Sequence, residues 1–120
     1  MARSLRASPQ ERTAFVFVCQ AGEWEVKAAL LAASLRRQYG DDIELIAAIP
    51  QPREIWGTVA PVTTALLEQL RVRHVPITNP IDTAFAHANK IACLGVETAA
   101  AKIVFLDSDM LCLARCDFTL

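Results

Sequence analysis

Two carboxylates one residue apart, Asp107 and Asp109, stand directly after the apolar run Ile103-Val104-Phe105-Leu106. Leaving such charges unpaired at the end of a buried run is costly. A divalent cation removes that penalty. Hard carboxylate oxygens suit Mg2+ or Mn2+, and either ion can also bridge a diphosphate. Asp107 and Asp109 are thus candidate metal ligands, with Ser108 between them as a candidate ligand-binding residue.

Other groups must be brought to the same place, and hydrophobic periodicity says which elements could do so. Residues 14–19 read as a strand and residues 23–39 as a helix. That helix has Glu23 and Glu25 in its first turn, Arg36 and Arg37 in its last, and Gly40 just past its end, the order a helix dipole favours. Its apolar face is expected at Val26, Leu30 and Ala33, ending at Arg37. A second strand over 43–49 leads into a loop over 50–60 that contains Trp56 and Gly57. A helix over 60–70 would turn Val62, Ala65, Leu66 and Leu70 inward, with Pro61 tolerated in its first turn. A short strand over 72–77 follows, and Thr78-Asn79-Pro80 breaks it.

A third helix is expected over 83–98, capped by Asp82, with Phe85, Asn89, Ala92, Cys93 and Val96 on one face. Residues 102–106 form the fourth strand. This alternation predicts an α/β fold, a Rossmann-like parallel sheet with flanking helices. Ligands of such sheets bind beyond the carboxyl ends of the strands. There the sequence puts Cys19, Gln20 and Ala21 after the first strand, Thr78 and Asn79 after the third, and the acidic pair after the fourth. A crevice shared by the first and last of these requires the first strand to be central, with the fourth beside it.

Three readings of the acidic pair compete. The aspartates could simply cap a turn. They could belong to a haloacid-dehalogenase-type phosphatase, with Asp107 as nucleophile. That motif usually continues to Thr or Val where Leu111 stands, and it normally opens its domain rather than following three strand-helix units. The third reading is a resemblance. Residues 17–113 resemble the N-terminal, nucleotide-binding half of GT-A glycosyltransferases, also called nucleotide-diphospho-sugar transferases. The likeness rests on Gly22-Glu23-Trp24-Glu25 after the first strand, on Asn89-Lys90, and on Phe105-Leu106-Asp107-Ser108-Asp109.

The resemblance implies transfer of a sugar from a nucleotide-sugar donor, UDP-linked, to an acceptor the sequence does not specify, with Mn2+ or Mg2+. It implies that Asp109 ligates the metal directly and that Asp107 contacts the ribose, or the metal through water. Lys90 would reach the donor's sugar or phosphates. The loop at Cys19, Gln20 and Ala21 would border the base, largely through its backbone. Many relatives carry an acidic residue in this loop where Gln20 and Ala21 stand; Glu23 could substitute, and a helix-dipole carboxylate explains it equally well.

Composition narrows the setting. The chain has 120 residues, which fits one domain over 14–120 behind a disordered tail over 1–13. A net charge of −1 gives no reason to expect nucleic acid or a membrane surface as partner. No apolar run approaches the roughly 20 residues of a transmembrane helix. The arginines at 3, 6 and 12 precede no signal-peptide core. Cys19 and Cys93 lie in apolar segments and read as small core residues. Cys112 and Cys116 have no second Cys or His pair nearby to complete a zinc site. Free thiols fit a reducing cytoplasm. His74 and His87 read as structural or surface residues. Related transferases need about twice this length, by the resemblance, so the acceptor pocket and a third metal ligand are expected downstream. The 120-residue form is then expected to be catalytically silent alone, to bind donor weakly, and to self-associate through uncovered Met110, Leu111 and Leu113.

Overall fold

The computed structural model describes residues 12–82 and 84–116. Within them the element order is β1 (Thr13–Val18), α1 (Trp24–Tyr39), β2 (Ile43–Gln51), α2 (Arg53–Trp56), α3 (Pro61–Gln69), β3 (Val72–Thr78), α4 (Asn89–Cys93) and β4 (Lys102–Phe105), with a 3-10 turn at Ala86–Ala88 before α4. The strands form one sheet in the order β3-β2-β1-β4. Every pairing is parallel. The first strand is interior and the fourth lies beside it, as a shared crevice requires. The expected tail over 1–13 lies outside the described residues except at Arg12 and Thr13. Thr13 is already in β1, paired with Ile43 and Lys102.

The apolar runs of β1 and β2 exist because both faces of the sheet are covered. Side chains alternate along a strand, so Phe15 and Phe17 point to one face while Ala14 and Val16 point to the other. The first face packs against Leu31, Leu35 and Tyr39 of α1 and Leu67 of α3. The second packs against Cys93 and Val96, in and just after α4.

Helix α1 ends as its sequence predicts. Gly40 takes φ +59°, which a side chain would resist, and its N–H closes on Arg36 O at 2.9 Å. Arg36 then ties three elements together. Its guanidinium donates to the carbonyls of Leu70 (2.8 Å), Gly40 (2.6 Å), Ile43 (3.3 Å) and Arg71 (3.1 Å).

Three expectations are corrected. The inner face of α1 is Ala28, Leu31, Ala32, Leu35 and Tyr39 together with Glu25. Val26 and Leu30 face outward, 63% and 54% exposed. Both stripes have helical spacing in this apolar-rich helix. The inner one wins because its small Ala28 and Ala32 let the helix approach the sheet, and because Glu25 finds partners inside. In α3 the fully buried side chain is Leu67, with Val62, Ala65 and Leu66 exposed.

The third correction is the helix expected over 83–98, which is only the short Asn89–Cys93 segment after a 3-10 turn. Asn79 Oδ1 accepts the N–H groups of Ile81 and Asp82, and its Nδ2 donates to Phe85 O. Asp82 accepts from Ala84 N two residues on, forming a turn instead of capping a helix. At the other end Arg73 donates to Glu97 O and Thr98 donates to Glu44 Oε2, which pulls these residues down to the sheet. Phe85, expected inside, is exposed.

Candidate functional site

The carboxyl ends of β1 and β4 leave the sheet side by side. Their register pairs Val16 with Phe105, and Leu106 N–H extends it by donating to Val16 O at 2.9 Å. Asp107 leaves the sheet next, and a turn closed by Met110 N–H on Asp107 O at 3.2 Å carries Ser108 and Asp109. On the other side Cys19 N–H donates to Ala48 O at 2.9 Å, holding β1 to β2 one residue past the strand.

Between these ends lies a cleft of about 350 Å³. Gln20, Lys90, Asp107, Ser108 and Asp109 all line it, so five of the residues singled out from sequence meet there. Lys90 Nζ lies 2.7 Å from Asp107 Oδ1. Both side chains are nearly half exposed, and an ion pair of that kind contributes about 1 kcal/mol or less. It is weak enough for either partner to re-aim toward a ligand.

Cys19 and Ala21 are not brought into the cleft by their side chains. Cys19 follows Phe15 and Phe17 on the buried face of β1. Burial, with the Glu25 charge nearby, pushes its thiol up to about 11, so it stays protonated. Ala21 backs onto Gly57, where a Cβ would come within 3.0 Å of the alanine methyl. Gly57 also takes φ +84°, so both space and backbone require glycine there.

Four residues shape the site without having been read as part of it. Trp24 lines the cleft, 40% exposed, with the Lys27 ammonium 4.3 Å from its ring centroid. His87, read as structural or surface, lines it as well and stacks against Phe85 at 5.6 Å. Asn89 lines it from α4. Position alone could have drawn attention to His87 and Asn89, which lie within one helical turn of Lys90. The fourth is Glu25, which organises the loop from below. Its carboxylate accepts from Gly22 N–H (2.8 Å), Ala60 N–H (3.0 Å) and the Thr63 hydroxyl (2.7 Å). Burial alone would raise this carboxyl; the donors from Gly22, Thr63 and Ala60 outweigh it and hold the group below its ordinary 4.5.

The segment after the acidic turn is braced against α1. Cys112 N–H donates to Ser34 Oγ at 2.8 Å, and Gln38 donates to Leu113 O at 3.2 Å. The Tyr39 hydroxyl both donates to Cys116 O (2.7 Å) and accepts from Cys116 N–H (2.8 Å). Among the described residues no group of three or more His, Cys, Asp or Glu could hold a metal ion. Asp107 and Asp109 both line the cleft, and carboxylates are the ligand type that Mg2+ and Mn2+ take, usually one or two of them together with waters and substrate phosphates. A larger open groove of about 990 Å³ lies at the opposite end of the sheet, beside Glu44, Arg73 and Ile103. Arg73 there is paired with Glu44 at 2.8 Å, and no candidate residue reaches it.

An all-parallel sheet with an acidic turn at its carboxyl edge is the architecture of α/β proteins that bind ligands at a crevice between strand ends. Residues 15–119 match the family model of the Rhodobacterales glycosyltransferase domain, and the chain belongs to this glycosyltransferase family. No curated protein sequence matches it. No helix among the described residues is long and apolar enough to cross a membrane.

Proposed function

We propose that the chain is a GT-A-type domain that transfers a sugar from a UDP-linked donor with the help of Mn2+ or Mg2+. The observation that carries this reading is the cleft in which Gln20, Lys90 and the turn at Asp107, Ser108 and Asp109 come together at the carboxyl edge of the sheet. Membership of a glycosyltransferase family supplies the reaction class. In this reading Asp109 would hold the cation, and Asp107 would contact the ribose or assist in holding the cation. When bound, the cation neutralises charge growing on the leaving diphosphate. Lys90 leaves Asp107 for the donor's phosphates or sugar. Gln20 and the backbone from Cys19 to Ala21 border the base, with Ser108 in contact with the donor. The site of action is the cytoplasm.

Thermal shift with and without Mn2+ tests this. UDP with Mn2+ at about a hundred times its dissociation constant stabilises by about 2.7 kcal/mol, which raises the melting temperature by on the order of 10 °C for a domain of this size. Stabilisation by beryllofluoride in place of UDP would instead favour Asp107 as a phosphatase nucleophile. A response to neither would mark a non-catalytic interaction domain.

A further inference from the structure

Asn89 begins α4 on its buried face, only 1% exposed. Among the described residues, neither its Oδ1 nor its Nδ2 has a hydrogen-bond partner. Its hydrogen bonds are made by the backbone: the N–H donates to Ala86 O, and the carbonyl accepts from Cys93 Sγ at 3.5 Å. Buried amides are almost always satisfied, and one that leaves both a donor and an acceptor open calls for an explanation. For packing alone, an apolar side chain of the same shape would be better here. The same residue lines the cleft next to Lys90, whose ammonium lies on Asp107. The residue thus belongs to the wall of the cleft, with its amide atoms shielded from bulk water.

We propose that Asn89 recognises the glycosyl group of the donor, its carbonyl accepting from one sugar hydroxyl and its NH2 donating to another. This rests on the nucleotide-sugar reading above. The chemistry of the amide selects the partner. A diphosphate offers acceptors alone and would leave Oδ1 unpaired, whereas each sugar hydroxyl both donates and accepts. In that reading the Gln20 loop borders the base, and the ribose, whose hydroxyls could also pair with an amide, goes to Asp107. The sugar is the remaining part of the donor that can satisfy both halves of the side chain. A site built to pair hydroxyls also discriminates against a nucleotide that lacks them, because its buried groups are then left open.

The test is calorimetry of UDP and of UDP-glucose and UDP-galactose with Mn2+, on the wild type, Asn89→Leu and Asn89→Ala, together with melting temperatures. In the wild type at least one sugar nucleotide is expected to bind more tightly than UDP. Asn89→Leu is expected to melt higher than the wild type, to keep UDP affinity within about twofold, and to lose on the order of tenfold in affinity for that sugar nucleotide. Asn89→Ala removes the same amide without added bulk and should show the same loss of sugar preference even if Asn89→Leu packs poorly. If both variants keep the preference, the amide serves only an ordered water and the inference falls. It also falls if the wild type binds no sugar nucleotide better than UDP, while the donor reading stands on the UDP response. Binding of neither UDP nor a sugar nucleotide overturns the donor reading and this inference together.

Discussion

Replacing Glu25 by alanine removes the acceptor of three hydrogen bonds at once. The donors are Gly22 N–H, Ala60 N–H and the Thr63 hydroxyl, at 2.8, 3.0 and 2.7 Å. The residue is 7% exposed, so water replaces the carboxylate only in part. A hydrogen bond to a charged group contributes about 1.5–3 kcal/mol. These three share one carboxylate and are not additive, so the expected loss is about 3–4 kcal/mol in all. That lowers the melting temperature by about 15 °C. The charge also gives the effect a pH dependence. The folded-state value lies below the ordinary 4.5, so the contribution is fully present above about pH 4.5 and is lost as pH falls through the folded value. Glu25→Gln keeps the shape and abolishes that pH dependence. Urea denaturation of the wild type and both variants at neutral pH, and of the wild type and Glu25→Gln from about pH 5 down to about pH 3, checks the argument. A loss under about 1 kcal/mol in Glu25→Ala would show that the donors find other partners. The same acid dependence in the wild type and Glu25→Gln would show that another group carries it.

Asp109→Asn is expected to weaken Mn2+-dependent UDP binding far more than Asp107→Asn, because a direct ligand loses charge and coordination together. Calorimetric titration of both variants decides; equal losses refute the ranking, and no loss in either favours a simple turn cap. Met110, Leu111 and Leu113 are exposed, and β4 has no strand partner on its outer side among the described residues. Concentration-dependent association is therefore expected in sedimentation velocity, and a monomer at every concentration would refute it.

The readable parts of the fold were those governed by a single dominant effect. β1 and β2 showed as apolar runs because a parallel sheet covered on both faces tolerates little else. The end of α1 showed because Arg36, Arg37 and Gly40 obey helix-end electrostatics and backbone freedom. The face of α1 was misread because its best inward position is held by a carboxylate, and no periodicity rule ranks Glu25 as core. The helix before β4 was overestimated because Asn79 and Asp82 spend their side chains on turns, which local propensity does not weigh against helix formation. Gln20 and the acidic pair were legible because strand ends in a parallel sheet converge, whereas Lys90 came from the family resemblance. That the Cys19 side chain would turn away was legible too, since it keeps step with Phe15 and Phe17 along β1. The Trp24 wall and the buried, unpartnered state of the Asn89 amide were not. Both depend on how α1 and α4 seat against the sheet, which no local pattern specifies.

How those helices seat also explains why the cleft can be precise although its residues lie on loops. Trp24 comes from the helix on one face of the sheet, and Asn89 and Lys90 come from the short helix on the other. The acidic turn sits between them. Each wall is fixed by bonds that do not involve a ligand. The turn is fixed on one side by Leu106 N–H on Val16 O, and on the other by Cys112 and Cys116, which are bonded to Ser34 and Tyr39 of α1. The Gln20 loop is held by Cys19 N–H on Ala48 O and by Gly22 N–H on Glu25. The polar groups that line the cleft are left comparatively free, since Lys90 and Asp107 share one exposed ion pair and the Asn89 amide has no partner among the described residues. Rigid supports with unspent functional groups are what a preorganised binding site requires. It follows that mutations of the supports should lower stability and ligand affinity together, whereas Asp109→Asn and Asn89→Leu should lower affinity without lowering stability.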